Sequence, residues 1–451
     1  MKKIFLFFVL IIIFFAESKE TNIVIYNQNF AVCDEIREIE VGKGKSTIVF
    51  TDIPKFIEPT SIQFYPTTNK QDFSVLEIVF DYDVLNSEKL LSKNIGKNVE
   101  IITKDGQFYS GKLLFYDSVY IGIEVKDRIL ILNRENFKEI KFEKIEFDLK
   151  PKLKFLVNNN KEGVQKFHLK YSTSNINWKA DYIGEYDEEK NKLNLNGFIT
   201  IENKSGIDYK DVSLVLIAGE VKKMMEKVGL PKAEYATRRF EADATPSFEE
   251  KPFFEYHKYT LKGKTDINDG EIKQINFVFK EIKIDKRYVY DGATYRYYYY
   301  DNWRNLPYNE KVEILIEFKN EDEVLPSGKI RIFKNEKEGS LFIGENYIPH
   351  TPIGDKVKFS IGNAFDIKGE RKIIDHQKIS SNIYKDTYEI KIKNFKKEDV
   401  LVEVIEHLYG TWEIIEKTHD YEKIDAYTIK FPVKVNSNGE QIVRYTVMTK
   451  F

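Results

Sequence analysis

Residues 167–219 read FHLKYSTSNINWKADYIGEYDEEKNKLNLNGFITIENKSGIDYKDVSLVLIAG, and this stretch decides the fold class. Leu193, Leu195, Ile199 and Ile201 fall on one face of an extended chain, with Asn194, Asn196, Thr200 and Glu202 on the other. Successive strand side chains point to opposite faces, so a period of two marks strands with one face in a core. Val212, Leu214 and Leu216 repeat the pattern after the turn residues Ser205, Gly206, Ile207 and Asp208. The centre of the chain therefore reads as antiparallel sheet, and it carries no recognisable catalytic group.

The same texture runs outward in both directions. Toward the N-terminus, residues 22–41 and 46–54 read as strands around the turn Gly42-Lys43-Gly44-Lys45, and residues 61–85 as a second hairpin-like pair. A short helix is expected over residues 86–93, with Ser87 as its N-cap and Glu88 in its first turn. Residues 93–148 form a self-contained module of five short strands, with a helical turn at Arg134 to Lys138. That layout resembles a small SH3-like or Sm-like barrel. An RNA-binding role for it is disfavoured, because its ten Lys and Arg are matched by ten Asp and Glu and phosphate binding needs a basic excess.

Toward the C-terminus, residues 220–252 are rich in charge, poor in large aliphatics and punctuated by proline, which reads as a mobile surface loop. Strands return at 253–264 and 271–290, the latter long enough for two strands or one bent one. From Leu325 onward eight further strands are read, including KVKFSIG at 356–362, TYEIKIKN at 387–394 and EQIVRYTV at 440–447. Closely spaced strands without convincing helices indicate β-sandwich architecture. The expected class is all-β: antiparallel sandwich domains with a small barrel inserted near the N-terminus. The segments are 1–18, 19–92, 93–148, 149–324 and 325–451.

The first 18 residues read as a signal segment. Lys2 and Lys3 precede an apolar run from Ile4 to Phe15, and Ala16-Glu17-Ser18 resembles a cleavage site. Twelve apolar residues are too few for a spanning helix, which needs about 20. Export to the periplasm or cell envelope is expected, with membrane contact only if the segment is retained as an anchor. Without Lys2, Lys3 and Glu17, the 70 basic and 72 acidic residues leave a net charge of about −3, which gives no reason to expect a polyanion partner. The lone Cys33 cannot pair within one chain and reads as a small buried hydrophobe.

Residues 291–308, DGATYRYYYYDNWRNLPY, have the most unusual composition in the chain. Tyr295, Tyr297, Tyr298, Tyr299, Tyr300, Trp303 and Tyr308 sit beside Arg296 and Arg304. Those residue types are favoured at interface hot spots, so the segment is an interaction-surface candidate; the plainer alternative is a tyrosine-rich strand covered by loops. The six histidines form no metal-ligand spacing, and the motifs of phosphate loops, dinucleotide folds and nucleophile elbows are missing. No catalytic, metal or cofactor residue is assigned. His350, in the Pro- and Gly-punctuated YIPHTPIGD, is the polar-loop candidate; a hydrogen bond anchoring that loop is the favoured role over catalysis.

Several blocks resemble a known family. NIVIYNQNFAVCDEIREIEV, YSTSNINWKADYIGEY, GFITIENKSGIDYKDVSLVLIAGEV, LPSGKIRIFKNEKEGSLFIGENYIPHTPIGDKVKFSIGNAFDIKGERK and VEVIEHLYGTWEI are similar, in order, to bacterial DUF4139 proteins, a group related to mucoidy inhibitor A-like proteins. The resemblance implies a mostly β, exported protein and supplies no catalytic residues to carry over. The Tyr295 to Tyr300 run departs from the family pattern. The expected role is a non-enzymatic binding or structural module contacting an envelope protein or surface polymer. The alternative is an exported hydrolase of glycans or peptides, whose carboxylate pair or activated nucleophile would have to converge from distant strands.

Overall fold

A computed structural model of the chain describes residues 11–12, 18–81, 87–143, 150–219, 221–222, 248–292 and 309–451. The described residues are overwhelmingly strand. They divide into two compact units, each assembled from three separate segments. The first comprises Met1–Asn177, Glu202–Ile217 and Gly263–Glu271; the second comprises Trp178–Ile201, Ala218–Lys262 and Ile272–Phe451.

In the first unit, strands Ser18–Tyr26, Phe30–Val41, Gly163–Ser174 and Gln63–Pro66 lie side by side in that order. Gly44–Phe50, Lys152–Asn159 and Phe73–Asp81 form a second sheet. Phe64 and Phe167 of one sheet meet Phe50, Phe73 and Phe155 of the other, with ring centroids 4.5–5.8 Å apart. Such tilted and edge-on contacts are the geometry aromatic quadrupoles favour, and they make this a sheet-on-sheet core.

The small module folds as expected in topology but not in closure. A helix, Ser87–Lys93, precedes five antiparallel strands in the order Arg128–Asn133, Tyr120–Val125, Phe108–Tyr116, Asn98–Thr103, Phe137–Phe142. A 3-10 turn at Arg134–Asn136 links the two strands at the ends of that order. Leu91 of the helix packs with Val99, Ile101, Leu113, Ile121 and Ile123. The sheet is open: among the described residues Arg128–Asn133 and Phe137–Phe142 do not pair, so it is not a closed barrel.

The second unit contains a five-stranded sheet ordered Ile272–Lys283, Lys192–Asn203, Ile176–Asp187, Gly328–Glu336, Gly339–Ile348. It also contains a nine-stranded sheet built on the 25-residue strand Lys356–Ser380. Val402, Val404, Phe431 and Val433 from one end of the nine-stranded order share a core with Ile390, Ile392, Val443 and Tyr445 from the other. The sheet therefore folds over on itself and buries its own inner face.

Among the described residues, parallel pairings occur beside the antiparallel ones: a two-residue one between Ile11–Ile12 and Gly44–Phe50, and three longer ones. In the longer ones Tyr209–Ala218 runs beside Ser18–Tyr26, Gly328–Glu336 beside Ile176–Asp187, and Val400–His407 beside Asp285–Asp291. Each joins strands far apart in sequence, where no hairpin dictates direction. The loop read at 220–252 also ends early, because Phe248–Phe253 is a strand paired with Tyr256–Ile267. Pro252 is tolerated there because this strand lies at a sheet edge.

Strand ends share one device. Asn203, Asn320 and Asn394 each terminate or follow an alternating strand, are 0–1% exposed, and donate from the side-chain amide to backbone carbonyls of the connection that follows. A buried backbone carbonyl needs a donor, and the asparagine amide supplies two hydrogens from one short side chain.

Candidate functional site

The tyrosine-rich segment, including Tyr295, Arg296, Tyr297, Tyr298, Tyr299, Tyr300, Trp303 and Arg304, lies outside the described residues, as does nearly all of the signal segment. The polar-loop candidate, His350, is exposed, and its Nδ1 accepts the Ser327 backbone N–H at 3.0 Å. That bond ties its loop to the connection of residues 320–327. Leu325 and Thr351 exchange backbone hydrogen bonds at 2.9 and 3.0 Å in the same place.

That connection is held from several sides. Tyr182 Oη donates to the Pro326 carbonyl at 2.6 Å, and Tyr259 Oη to the Val324 carbonyl at 3.3 Å. Trp178 is buried and meets the Tyr259 ring in an edge-type contact, with centroids 6.0 Å apart. The Asn320 amide nitrogen faces the carbonyls of Glu323, Thr351 and Pro352, and Asn320 Oδ1 accepts from Lys280 Nζ at 3.1 Å.

Lys280 and Glu323 are displaced in opposite senses. Burial pulls the Lys280 ammonium below its ordinary value, against the attraction of Glu323, Asp322 and Glu321. Burial lifts the Glu323 carboxyl above the usual carboxylate range, against the attraction of Lys280. Both groups are half-buried, and each is pushed toward its neutral form. Opposed shifts of this kind mark chemically competent sites more often than ordinary surface pairs.

Two other polar clusters are interior. Glu35 and Arg37 form an ion pair that the Tyr171 hydroxyl completes at 2.5 Å, beside Cys33, whose thiol burial pushes far up. Arg371 clasps Glu406, which also accepts from Tyr445. A cavity of about 490 Å³ is lined by Glu185, Asp187, Glu188, Glu189, Lys334 and Glu336, among others. Hydrogen bonds from Lys286 and Lys334 bring the Glu188 carboxyl down to about 2. Among the described residues, no group of three or more His, Cys, Asp and Glu side chains converges as metal ligands would.

Lys280, Asn320, Glu323, Arg371 and Glu406 were not singled out from sequence. Charged residues are too frequent for any one to stand out. The recurring Asn at the end of an alternating run, in TIEN, EFKN and KIKN, is the signal that marks Asn320.

Residues 167–409 match the model of the family described as Domain of unknown function (DUF4139), which is more than half of the chain, and the chain belongs to that family. The match takes in the His350 loop, Lys280, Asn320 and Glu323 and leaves out the small five-stranded module. No curated protein matches the chain.

Proposed function

We propose that this DUF4139 protein is an exported cell-envelope module that binds another envelope protein, in a structural rather than an enzymatic role. The carrying observation is the outer edge of the small module. Strand Arg128–Asn133 ends the sheet order, and Ile129 and Ile131 are each 62% exposed. Ile131 sits opposite Gly122, over which the half-exposed Phe115 ring lies. An edge strand offers unpaired backbone donors and acceptors. With an apolar row beside it, such an edge suits the addition of an extended segment from a partner protein. The N-terminal signal pattern supplies the compartment in this reading.

Two measurements test it. The N-terminus of the protein recovered from the envelope fraction of its own cells should begin near residue 19; recovery only from the cytoplasm contradicts export. A variant carrying Ile129→Lys and Ile131→Lys should fold and lose its partner.

The meeting of Lys280, Asn320 and Glu323, with burial pushing both charged groups toward neutrality, favours a second reading, an exported hydrolase of envelope glycans or peptides. It requires turnover of such polymers that Glu323→Gln abolishes, and no turnover by the wild type removes it.

A further inference from the structure

The three strand-end asparagines differ in one respect. Asn203 Oδ1 accepts from Ser205 N–H and Asn394 Oδ1 from Lys396 N–H, each two residues ahead and each at 3.0 Å. At Asn320 that position is taken by the amine of Lys280, from a strand 40 residues away in sequence. Glu323 is close enough to both to matter: its backbone carbonyl accepts from the Asn320 amide, and its carboxylate attracts the Lys280 ammonium.

From this juxtaposition we propose that Lys280 and Asn320 join in an intramolecular isopeptide bond, with Glu323 as the proton shuttle. Glu323 takes a proton from the Lys280 ammonium. The free amine forms a C–N bond to Asn320 Cγ, whose oxygen becomes the tetrahedral oxyanion. Glu323 passes that proton to Nδ2, the oxyanion re-forms the carbonyl as the Cγ–Nδ2 bond breaks and ammonia leaves, and Glu323 takes the second proton from Nζ and ends protonated. The balance is amine plus primary amide giving secondary amide plus ammonia, and no oxidant or co-reactant is needed.

The surroundings suit each step. Partial burial favours the neutral amine and the neutral acid over the ion pair, which is the protonation state the attack requires. An amide nitrogen carries two hydrogens, yet Asn320 Nδ2 faces three carbonyls. Three acceptors match the three hydrogens of the protonated leaving nitrogen, so charge developing there meets dipoles already in place. Asn394 has the same three-carbonyl surround without a lysine amine on its oxygen, and it serves as an internal control. The chain holds a single cysteine, so this bond would be its covalent cross-link in an oxidising compartment.

The test is the intact mass of the full chain, followed by peptide mapping. The expected mass is one ammonia below that of the linear chain, with a branched peptide containing both Lys280 and Asn320. The Lys280→Arg and Glu323→Gln variants should each show the linear mass, and Glu323→Gln should keep the wild-type circular dichroism. A wild type of linear mass, with Lys280 and Asn320 in separate peptides, overturns the proposal. So does an ammonia loss mapped elsewhere, such as to Asn438-Gly439.

Discussion

Arg371 holds Glu406 in a forked contact, Nε to Oε1 at 2.9 Å and Nη2 to Oε2 at 2.8 Å, where the carboxylate has no exposed surface at all. Burial opposes the charged guanidinium, but the carboxylate outweighs it and raises the Arg371 pKa. The Tyr388 ring lies 4.3 Å from the guanidinium carbon, and Tyr445 donates its hydroxyl to Oε2. The first unit repeats the arrangement with Arg37, Glu35 and Tyr171.

Breaking such a pair leaves one buried charge unmatched. Arg371→Met is expected to destabilise the second unit by about 3–5 kcal/mol, whereas Arg371→Met with Glu406→Leu should restore most of that loss. Denaturant unfolding of both variants checks this. Equal losses in the single and double variants would show that the charges are not the cause.

Asn394 offers a similar test of the strand-end clamps. Its amide serves the carbonyls of Glu398, Val435 and Asn436, at 2.8–3.3 Å. Asn394→Ala orphans buried acceptors and should cost about 2–3 kcal/mol. Asn394→Asp should cost more, since an ionised carboxylate has no hydrogen to donate and faces carbonyl oxygens. Chemical denaturation ranks the two.

Two glycines separate a rigid neighbour from a yielding one. A Cβ on Gly344 would lie 2.1 Å from the backbone oxygen of Ile361, and a Cβ on Gly122 would lie 2.1 Å from the ring of Phe115. Backbone in a paired strand cannot step aside, but a half-exposed ring can rotate. Gly344→Ala is expected to lower stability by about 1–3 kcal/mol, and Gly122→Ala by clearly less. Thermal melts of the two variants make the comparison.

Glu188 sets an acid limit. Its hydrogen bonds to Lys286 and Lys334 lower its folded-state pKa from the ordinary 4.5 to about 2. A depressed carboxylate adds stability that is present above the unfolded value and lost as pH falls from 4.5 toward 2. The side chain is 46% exposed, so solvent screening keeps the gain small. Melting temperature should fall less steeply over that range in Glu188→Gln than in the wild type.

The strands were legible wherever one face is buried and the other wet, as in Lys192–Asn203 and Val400–His407. The 25-residue strand Lys356–Ser380 was read only through its first residues. Beyond Asn363 most of its side chains face solvent, so no apolar period accompanies a backbone held from Ile367 onward by its pairing with Ile383–Asn394. The parallel pairings, and the meeting of Lys280 with Asn320, depend on contacts between distant strands that no local pattern encodes. His350 was legible as a loop residue because Pro349, Pro352 and Gly354 punctuate its surroundings; its acceptor role toward Ser327 was not.

Partner capture by the edge strand Arg128–Asn133 is the central claim, and chemical cross-linking of the mature protein in its own cell envelope tests it most directly. Wild type and the Ile129→Lys, Ile131→Lys variant are compared, with melting temperature as the folding control. The account predicts one dominant protein cross-linked to the wild type and missing from an equally stable variant. The same protein recovered with both, or glycan recovered in its place, would contradict it.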